Sequence, residues 1–196
     1  MKKFLTLALL VFTAFGLQAQ DGGEELKFPG VDKSVMDMAY YPPRAAFRAF
    51  AKTEEEKAAG QPVMRVVYSR PMKNGRTVFG ELLKYGEMWR AGANESTELL
   101  LMKDVKVGGK TLEAGRYTIY VIPQENEWEV HFSTDTDGWG HYAFKPEASS
   151  VASIKVPTAA TPSTVEAFAI MFETAEGGAH MIMAWDNTMA RVPFTW

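Results

Sequence analysis

The sequence predicts an all-β protein: a single antiparallel β-sandwich or barrel-like domain that carries a short N-terminal arm. Two observations lead to this fold class. From Gln61 onward, short segments rich in β-branched and aromatic residues follow one another, separated at fairly even spacing by Gly, Pro, Asn and Asp. No apolar pattern with the helical period runs far enough to form a long amphipathic helix. Such a succession of strands is typical of antiparallel sandwiches and barrels.

The first residues, MKKFLTLALLVFTAFGLQAQ, have the layout of a cleavable secretory signal. Lys2 and Lys3 precede an apolar run from Leu5 to Leu17, and the small residue Ala19 stands at the expected cleavage point. The apolar run is shorter than the roughly 20 residues of a membrane span, so a membrane anchor is the weaker alternative. We therefore expect residues 1–20 to be removed and the mature protein to be exported to the periplasm or beyond, with no membrane span.

Residues 21–60 form the predicted arm. The pair Pro42-Pro43 favours an extended path. Thr53, followed three residues later by Glu56, is a capping-box pattern that predicts a short helix ending near Gly60. The arm also carries several aromatic residues, so we expect part of it to cover the core of the β domain, residues 61–196.

Within the β domain, the alternation of apolar and polar residues assigns each strand a buried face. In NEWEVHFST, Trp128, Val130 and Phe132 share one face, and His131 is expected to face solvent on the other. The same alternation occurs in VEAFAIMFE, AHMIMAWD and ARVPFTW. These faces predict an aromatic-rich core between packed strands.

Three segments between the strands predict turns or loops. Gly108-Gly109 predicts a tight hairpin turn, and VGGKT is no phosphate loop because Asp104 stands where that motif needs a glycine. DTDGWG begins like a calcium loop, but Pro146 occupies the position of the bidentate Glu, so a turn is predicted. TAATPSTV, residues 158–165, is expected to be a loop between strands.

Charge and composition argue against several classes of function. The chain has 21 Lys and Arg residues against 24 Asp and Glu, and loss of the signal would change its net charge from −3 to about −5. This balance offers nucleic acid no basic face. Without cysteine, the chain has neither a disulfide framework nor the attachment site of a lipoprotein. The spacing of His131, His141 and His180 is not that of a zinc site, so we expect no metal and no cofactor.

The strongest concentration of chemistry lies in YSRPMKNGRTVFGELLKYGEMWRAGANEST, between two predicted strands. A connection of this length is unusual in a compact domain and is often functional. Within it, TVFGELLKYG is expected to hold a helical turn. Guanidinium groups suit the bidentate recognition of carboxylate or phosphate. The predicted ligand-binding residues are Tyr68, Arg70, Arg76, Trp89, Arg90, Asn94 and Glu95.

This block, together with GRYTIYVIP, WEVHFSTDTDGWG and MAWD, resembles the DUF2911 family, a group of exported proteins found mostly in Bacteroidetes. The resemblance runs from about Val35 to the C-terminus. It implies an exported single β domain, and it implies no catalytic role because the family has no established activity. The residues that carry it are Arg70, Pro71, Gly75, Arg76, Phe79, Gly80, Trp89, Arg90, Gly92, Asn94, Glu95 and Thr97.

Three functional hypotheses remain open. The first is an accessory module of the cell envelope that binds a small anionic ligand or a sugar in a pocket of Arg, Asn, Glu and Trp side chains. The second is a hydrolase- or isomerase-like enzyme with Glu95 as general base and an Arg that stabilises negative charge. The third is a structural envelope protein that pairs through a sheet edge or an apolar patch near Tyr40 and Tyr41. If Arg70, Arg76 and Arg90 were all buried and paired with carboxylates, no guanidinium N–H group would remain to bind a ligand.

Overall fold

The computed structural model describes residues 26–140, 142 and 149–196. The predicted signal, residues 1–20, lies outside them, as do His141 and Pro146. The chain divides into two compact units, Met1–Gly30 and Val31–Trp196. Residues 26–30 of the first unit adopt no helix or strand, and every element named below belongs to the second unit. Neither of the helices described here has the length and hydropathy of a membrane-spanning helix.

The second unit is built on one antiparallel sheet, which confirms the all-β prediction. Its nine strands within the described residues are β1 (Val35–Tyr41), β2 (Met64–Arg70), β3 (Thr97–Leu101), β4 (Val105–Val107), β5 (Lys110–Leu112), β6 (Gly115–Pro123), β7 (Glu127–Ser133), β8 (Ser150–Ala175) and β9 (Gly178–Thr195). Their order across the sheet is β1-β2-β3-β6-β7-β8-β9-β4-β5. The sheet is not closed, so β1 and β5 are its edges.

The predicted arm is partly a strand of this sheet. β1 pairs with β2 along its whole length, from Val35 opposite Arg70 to Tyr41 opposite Met64. The sheet therefore begins well before Gln61, where the β domain was expected to start. A 3-10 helix, Ala45–Phe50, and then the helix α1, Glu54–Ala59, lead from β1 to β2.

The capping pattern that predicts α1 is confirmed. Thr53 Oγ1 accepts a hydrogen bond from the backbone N–H of Glu56 at 3.1 Å. The Glu56 carboxylate in turn accepts from the backbone N–H of Lys52 at 2.7 Å, one residue before the capping position. The helix ends at Ala59 with Gly60 as its C-terminal capping residue, which agrees with the predicted end near Gly60. Two of the otherwise unpaired N–H groups at this helix start are thus satisfied.

Strand β8 joins the two halves of the sheet. Its residues 150–157 pair with β7, whereas residues 158–175 pair with β9, so the sheet folds over and its halves face each other across one core. Ring contacts cross this core. Phe132 on β7 lies 5.7 Å from Phe194 on β9, and Tyr68 on β2 lies 5.7 Å from Phe168 on β8, measured between ring centroids. The predicted inward faces of the strands supply these rings.

The predicted loop at residues 158–165 is wrong, because β8 continues through it. The pairing with β9 shifts register between Ala160 and Val165 and again between Val165 and Ala169, so the strand bulges here and does not end. Pro162 lies within the first shift, where a residue without a backbone N–H is tolerated. The Pro- and Thr-rich composition of this segment marks a bulge.

The connection between β2 and β3, residues 71–96, contains no helix. The predicted helical turn in TVFGELLKYG is replaced by wide turns, in which the N–H groups of Leu82 and Leu83 donate to the carbonyls of Thr77 and Val78 at 3.2 and 2.8 Å. The hairpin predicted at Gly108-Gly109 is confirmed, since it joins β4 to β5. We call residues 71–96 the β2–β3 link.

We predict that Gly178→Ala strongly destabilises the fold. Gly178 begins β9, and a Cβ atom there would lie 1.9 Å from the carbonyl oxygen of Phe194 in the same strand. Because a backbone carbonyl cannot move aside without disturbing the sheet, we expect the free energy of unfolding to fall by about 3 kcal/mol in urea denaturation.

Gly115→Ala is the matched control. A Cβ atom at Gly115, at the start of β6, would meet its nearest neighbours at 3.9 Å, an ordinary contact distance. We expect its free energy of unfolding to change by less than about 1 kcal/mol. Equal effects of the two substitutions would contradict the close approach at Gly178.

Candidate functional site

The β2–β3 link is attached to the sheet by Trp89. The backbone of Trp89 exchanges hydrogen bonds with Val121 on β6, with N···O distances of 2.7 and 2.8 Å. Its side chain is buried, and the indole N–H donates to the carbonyl of Gly92 at 3.0 Å. A loop residue thus occupies a sheet position and directs its ring into the core.

Around Trp89 lies a cluster of aromatic side chains. Its ring centroid is 4.9 Å from Phe168, 5.9 Å from Trp185, and 6.1 Å from both Phe79 and Trp128. Trp185 stacks on it, and the other three meet it edge to face. Each such ring buries about 150–250 Å² of surface, so this cluster is a strong anchor for the link.

A second anchor holds the first half of the link against β9. The Lys73 ammonium lies 3.0 Å from Asp186 Oδ1, in an ion pair whose side chains are only 18% and 10% exposed. Asp186 Oδ2 also accepts the backbone N–H of Val78 at 3.2 Å. The carbonyl of Glu166 accepts the N–H of Lys73 at 2.7 Å, and its side chain accepts that of Asn74 at 2.8 Å. The link therefore contacts β8 and β9 in the region where their pairing shifts register.

The turn after Trp89 depends on two residues in the left-handed region. Ala91 has a φ of 51° and Asn94 a φ of 60°; such a value is uncommon for Ala and easier for Asn. Between them, Gly92 packs so closely that a Cβ atom would lie 3.1 Å from a β2 carbonyl. Thr97 Oγ1 closes the turn by donating to the Ala91 carbonyl at 2.7 Å. The turn directs Arg90 into a cavity outside the core.

Four of the seven predicted site residues line this cavity: Arg76, Trp89, Arg90 and Asn94. Its volume is about 540 Å³, within the range of small-molecule sites. The other residues that line it are Pro71, Leu82, Leu83, Lys84, Glu87, Met88, Gly92, Ala93, Trp139, Tyr142 and Trp185. We call it the link cavity, because the β2–β3 link contributes most of its wall.

The charges in the link cavity are mostly positive. The charged residues that line it are three cations, Arg76, Lys84 and Arg90, and one carboxylate, Glu87. Among the residues that the structure describes, none of these three cations forms an ion pair. Their charge is therefore available to an anion that enters the cavity.

Arg76 is held by neutral partners. Its Nε donates to the carbonyl of Lys73 at 2.8 Å, and its Nη2 donates to the carbonyl of Met72 at 2.6 Å. These bonds orient the guanidinium without neutralising it. Its Nη1 has no hydrogen-bond partner in the described part of the chain.

Arg90 is fixed in a similar way. Nη1 donates to the carbonyl of Asn94 at 3.1 Å, and Nη2 donates to the hydroxyl of Tyr142 at 3.2 Å. The guanidinium carbon lies 5.3 Å from the centre of the Tyr142 ring. A Cβ atom at Gly140 would lie only 2.8 Å from Nη1, so the guanidinium also packs closely against this glycine. Two hydrogen bonds, a ring and a glycine therefore restrict the position of Arg90.

Two predicted site residues have structural partners and lie outside the link cavity. Tyr68 is buried, its hydroxyl donates to the carbonyl of Ile170 at 3.2 Å, and burial raises the pKa of its phenol. Arg70 Nη1 pairs with Asp37 at 2.9 Å, and its Nε donates to the Phe168 carbonyl at 3.0 Å. Both residues tie β2 to β8 across the core, and Arg70 also ties it to the neighbouring strand β1.

Glu95 lines a separate cavity of about 390 Å³. Glu98 and Asp137 line the same cavity, and both pair with Arg116. Neither of the arginines of the link cavity lines it. Glu95 therefore does not share a cavity with Arg76 or Arg90.

Several residues of the link cavity have no predicted role from the sequence. Trp139 and Tyr142 come from the segment that begins DTDGWG, which predicts only a turn, and Trp185 comes from MAWD, which predicts only a strand. A tryptophan inside a glycine- and aspartate-rich turn is the one signal that could have identified Trp139. Lys84 and Glu87 are ordinary charged loop residues and carry no such signal.

His131 is not the solvent-facing residue that the alternation predicts. Its side chain is 15% exposed, and its ring stacks on Tyr120 at 4.6 Å. Nδ1 lies 3.2 Å from Ser150 Oγ, and Nε2 lies 3.1 Å from Glu129 Oε1. Burial lowers the pKa of His131 below its ordinary value, although the Glu129 carboxylate acts in the opposite direction. Among the residues with described positions, no group of His, Asp or Glu is arranged to hold a metal ion.

Comparison with family models gives one match. Residues 51–194 match a family described as "Protein of unknown function (DUF2911)". The match includes the β2–β3 link, all strands from β2 to β8 and nearly all of β9. Comparisons with curated proteins and with solved structures found no match.

We predict that Asp186→Asn destabilises the protein by about 2–3 kcal/mol. The substitution keeps the side-chain size and tolerates the φ of 56°, but it leaves the mostly buried Lys73 ammonium without a counter-charge. Urea denaturation would measure the loss. Glu173→Gln is the matched control, because its pair with Arg191 is exposed, and we expect it to cost less than about 1 kcal/mol. Similar small losses for both would contradict the role of Asp186 as an anchor.

We also predict that His131 makes the stability depend on pH. Its pKa is lowered in the folded state from 6.5, so the unfolded chain takes up a proton first as the pH falls. The contribution of neutral His131 is complete above about pH 6.5 and is lost as the pH falls toward the folded-state pKa. Denaturation between about pH 7.5 and 5 should show a steeper loss for the unsubstituted protein than for His131→Gln. Parallel curves would show that burial of His131 does not affect its protonation.

Proposed function

The chain belongs to the DUF2911 family of proteins of unknown function, and from its geometry we propose that it binds a small anionic ligand in the link cavity. In this proposal it is a binding or accessory module, with Arg76 and Arg90 as the principal ligand contacts. The observation that carries the proposal is that these two guanidiniums line one cavity and are held by backbone carbonyls and a hydroxyl, without a carboxylate.

This arrangement favours binding because the cations are positioned in advance. Holding a guanidinium in place lowers the conformational entropy that a ligand must remove on binding. Each guanidinium has five N–H donors, and the described hydrogen bonds use two on Arg76 and two on Arg90. The remaining donors can form charge-assisted hydrogen bonds to a carboxylate or phosphate.

The contrast with the rest of the molecule supports the same proposal. The full chain has a net charge of −3, yet three cations and a single carboxylate face the link cavity. Arg70 and Arg116, by comparison, pair with carboxylates. An excess of unpaired positive charge in one concave site on an acidic protein is the arrangement that an anion requires.

The proposed place of action is outside the cytoplasm. The positive residues and the short apolar run within residues 1–20 support export by a signal peptide. An exported binding module would meet small anions in the periplasm or outside the cell.

The test is isothermal titration calorimetry of the purified protein with acetate, inorganic phosphate, citrate and galacturonate. We expect saturable binding of at least one of these anions. We expect about tenfold weaker binding for Arg76→Gln and for Arg90→Gln, because a hydrogen bond to a charged group contributes about 1.5–3 kcal/mol. Arg191→Gln, on β9 and outside the cavity, is the control and should bind like the unsubstituted protein. If none of these anions binds more tightly to the unsubstituted protein than to the Arg76/Arg90 double variant, the proposal fails.

A further inference from the structure

We propose that the anion bound in the link cavity is an acidic sugar, a pyranose that carries one carboxylate. In this arrangement the sugar ring stacks on Trp139, and the carboxylate bonds to Arg90 and Arg76. The inference rests on the proposed function and extends it by naming the ligand class.

The first argument is the exposure of Trp139. Trp139 is 60% exposed and lines the cavity, although tryptophan residues are usually mostly buried. Leaving so large an apolar ring in water forgoes the stabilisation that its burial would provide. The flat face of an indole matches the apolar C–H face of a pyranose, so a sugar would cover this ring.

The second argument is that the backbone of Trp139 is held in place in spite of the exposure of this residue. Its backbone forms a β-bridge with Glu95, and the backbone N–H of Ser96 donates to the Gly138 carbonyl at 3.0 Å. On the other side of Trp139, the Ser96 hydroxyl donates to the Gly140 carbonyl. The residues on both sides of the ring are thus bonded to the end of the β2–β3 link. An aromatic side chain on a fixed backbone has only two torsions left to lose, so it binds with little loss of conformational entropy.

The third argument is that the ring and a fixed cation line the same cavity. Gly140 follows Trp139 directly and packs against the guanidinium of Arg90, which also lies over the Tyr142 ring. An apolar ring and a positive charge are therefore offered to the same cavity. A ligand that uses both must have an apolar face and a negative group within one small molecule.

The polar residues of the cavity suit sugar hydroxyl groups. The Asn94 side-chain amide offers both a donor and an acceptor and has no hydrogen-bond partner among the described residues, while Glu87 offers a carboxylate acceptor. Glu95 lines a second cavity that Trp139 also lines, and its carboxylate would repel a second carboxylate but accept a hydrogen bond from a hydroxyl. The arrangement favours one carboxylate at the arginines and hydroxyl groups elsewhere.

Simpler ligands would leave part of this site unused. An inorganic anion would engage the arginines but would leave the Trp139 ring exposed to water. A neutral sugar would cover the ring but would leave the charge of Arg76 and Arg90 without a partner. A sugar acid satisfies both groups at once.

The experiment uses calorimetry to compare the affinity of each sugar acid with that of its neutral parent sugar and that of a simple carboxylate. Galacturonate and glucuronate are the probes; galactose and glucose supply the ring alone, and acetate supplies the carboxylate alone. We expect at least one uronate to bind at least tenfold more tightly than both its neutral parent and acetate. Uronate binding that is no tighter than acetate binding, while acetate still depends on Arg90, would overturn the inference and leave the proposed function intact.

Substitutions separate the two parts of the site. We expect Trp139→Ala to weaken uronate binding about tenfold and to leave acetate binding unchanged, whereas Arg90→Gln should weaken both. Trp196→Ala is the control, because Trp196 is also partly exposed, at 40%, and lies outside the cavity. Uronate binding unchanged by Trp139→Ala would overturn stacking of the sugar. If phosphate or citrate binds through Arg76 and Arg90 but no uronate does, the inference fails alone. If no anion, phosphate and citrate included, binds more tightly to the unsubstituted protein than to the Arg76/Arg90 double variant, the proposed function fails together with the inference.

Discussion

The burial of Trp89 is the interaction on which the rest of the structure depends. The β2–β3 link has no helix and no strand of its own, so its backbone cannot order itself through regular hydrogen bonding. Trp89 supplies the missing stabilisation, because its ring lies at the centre of an aromatic cluster and its backbone pairs with Val121. The next residue, Arg90, then has a defined position outside the core. A core contact thus determines where a surface charge is placed.

The molecule uses its arginines in two ways, and the difference lies in their partners. Arg70 pairs with Asp37 and bonds to a strand carbonyl, so its charge serves the packing of β1 and β2. Arg76 and Arg90 bond to carbonyls and a hydroxyl, which fix the direction of a guanidinium but do not cancel its charge. Sequence spacing does not distinguish these cases, because a carboxylate partner comes from a distant strand.

Local patterns predict the strands well and the site only in part. Alternation assigns the buried faces of β7, β8 and β9, because side-chain direction in a strand is a local property. The pairing of β1 with β2, which occupies Arg70, is a long-range property, and so is the approach of Gly140, the residue after Trp139, to Arg90. His131 is misassigned for the same reason, since its cover comes from the neighbouring strand through Tyr120. Composition also misleads at residues 158–165, where proline marks a bulge inside a strand.

The continuity of β8 has a consequence for folding. Since one strand belongs to both halves of the sheet, neither half can lose its pairing without exposing an edge of the other. The hydrogen bond from Tyr68 to Ile170 joins residues 102 positions apart, so closure of the core must await most of the chain. Cooperative unfolding as a single unit and comparatively slow folding follow from this shared strand. Because β8 belongs to both halves, we expect neither half of the sheet to unfold separately from the other.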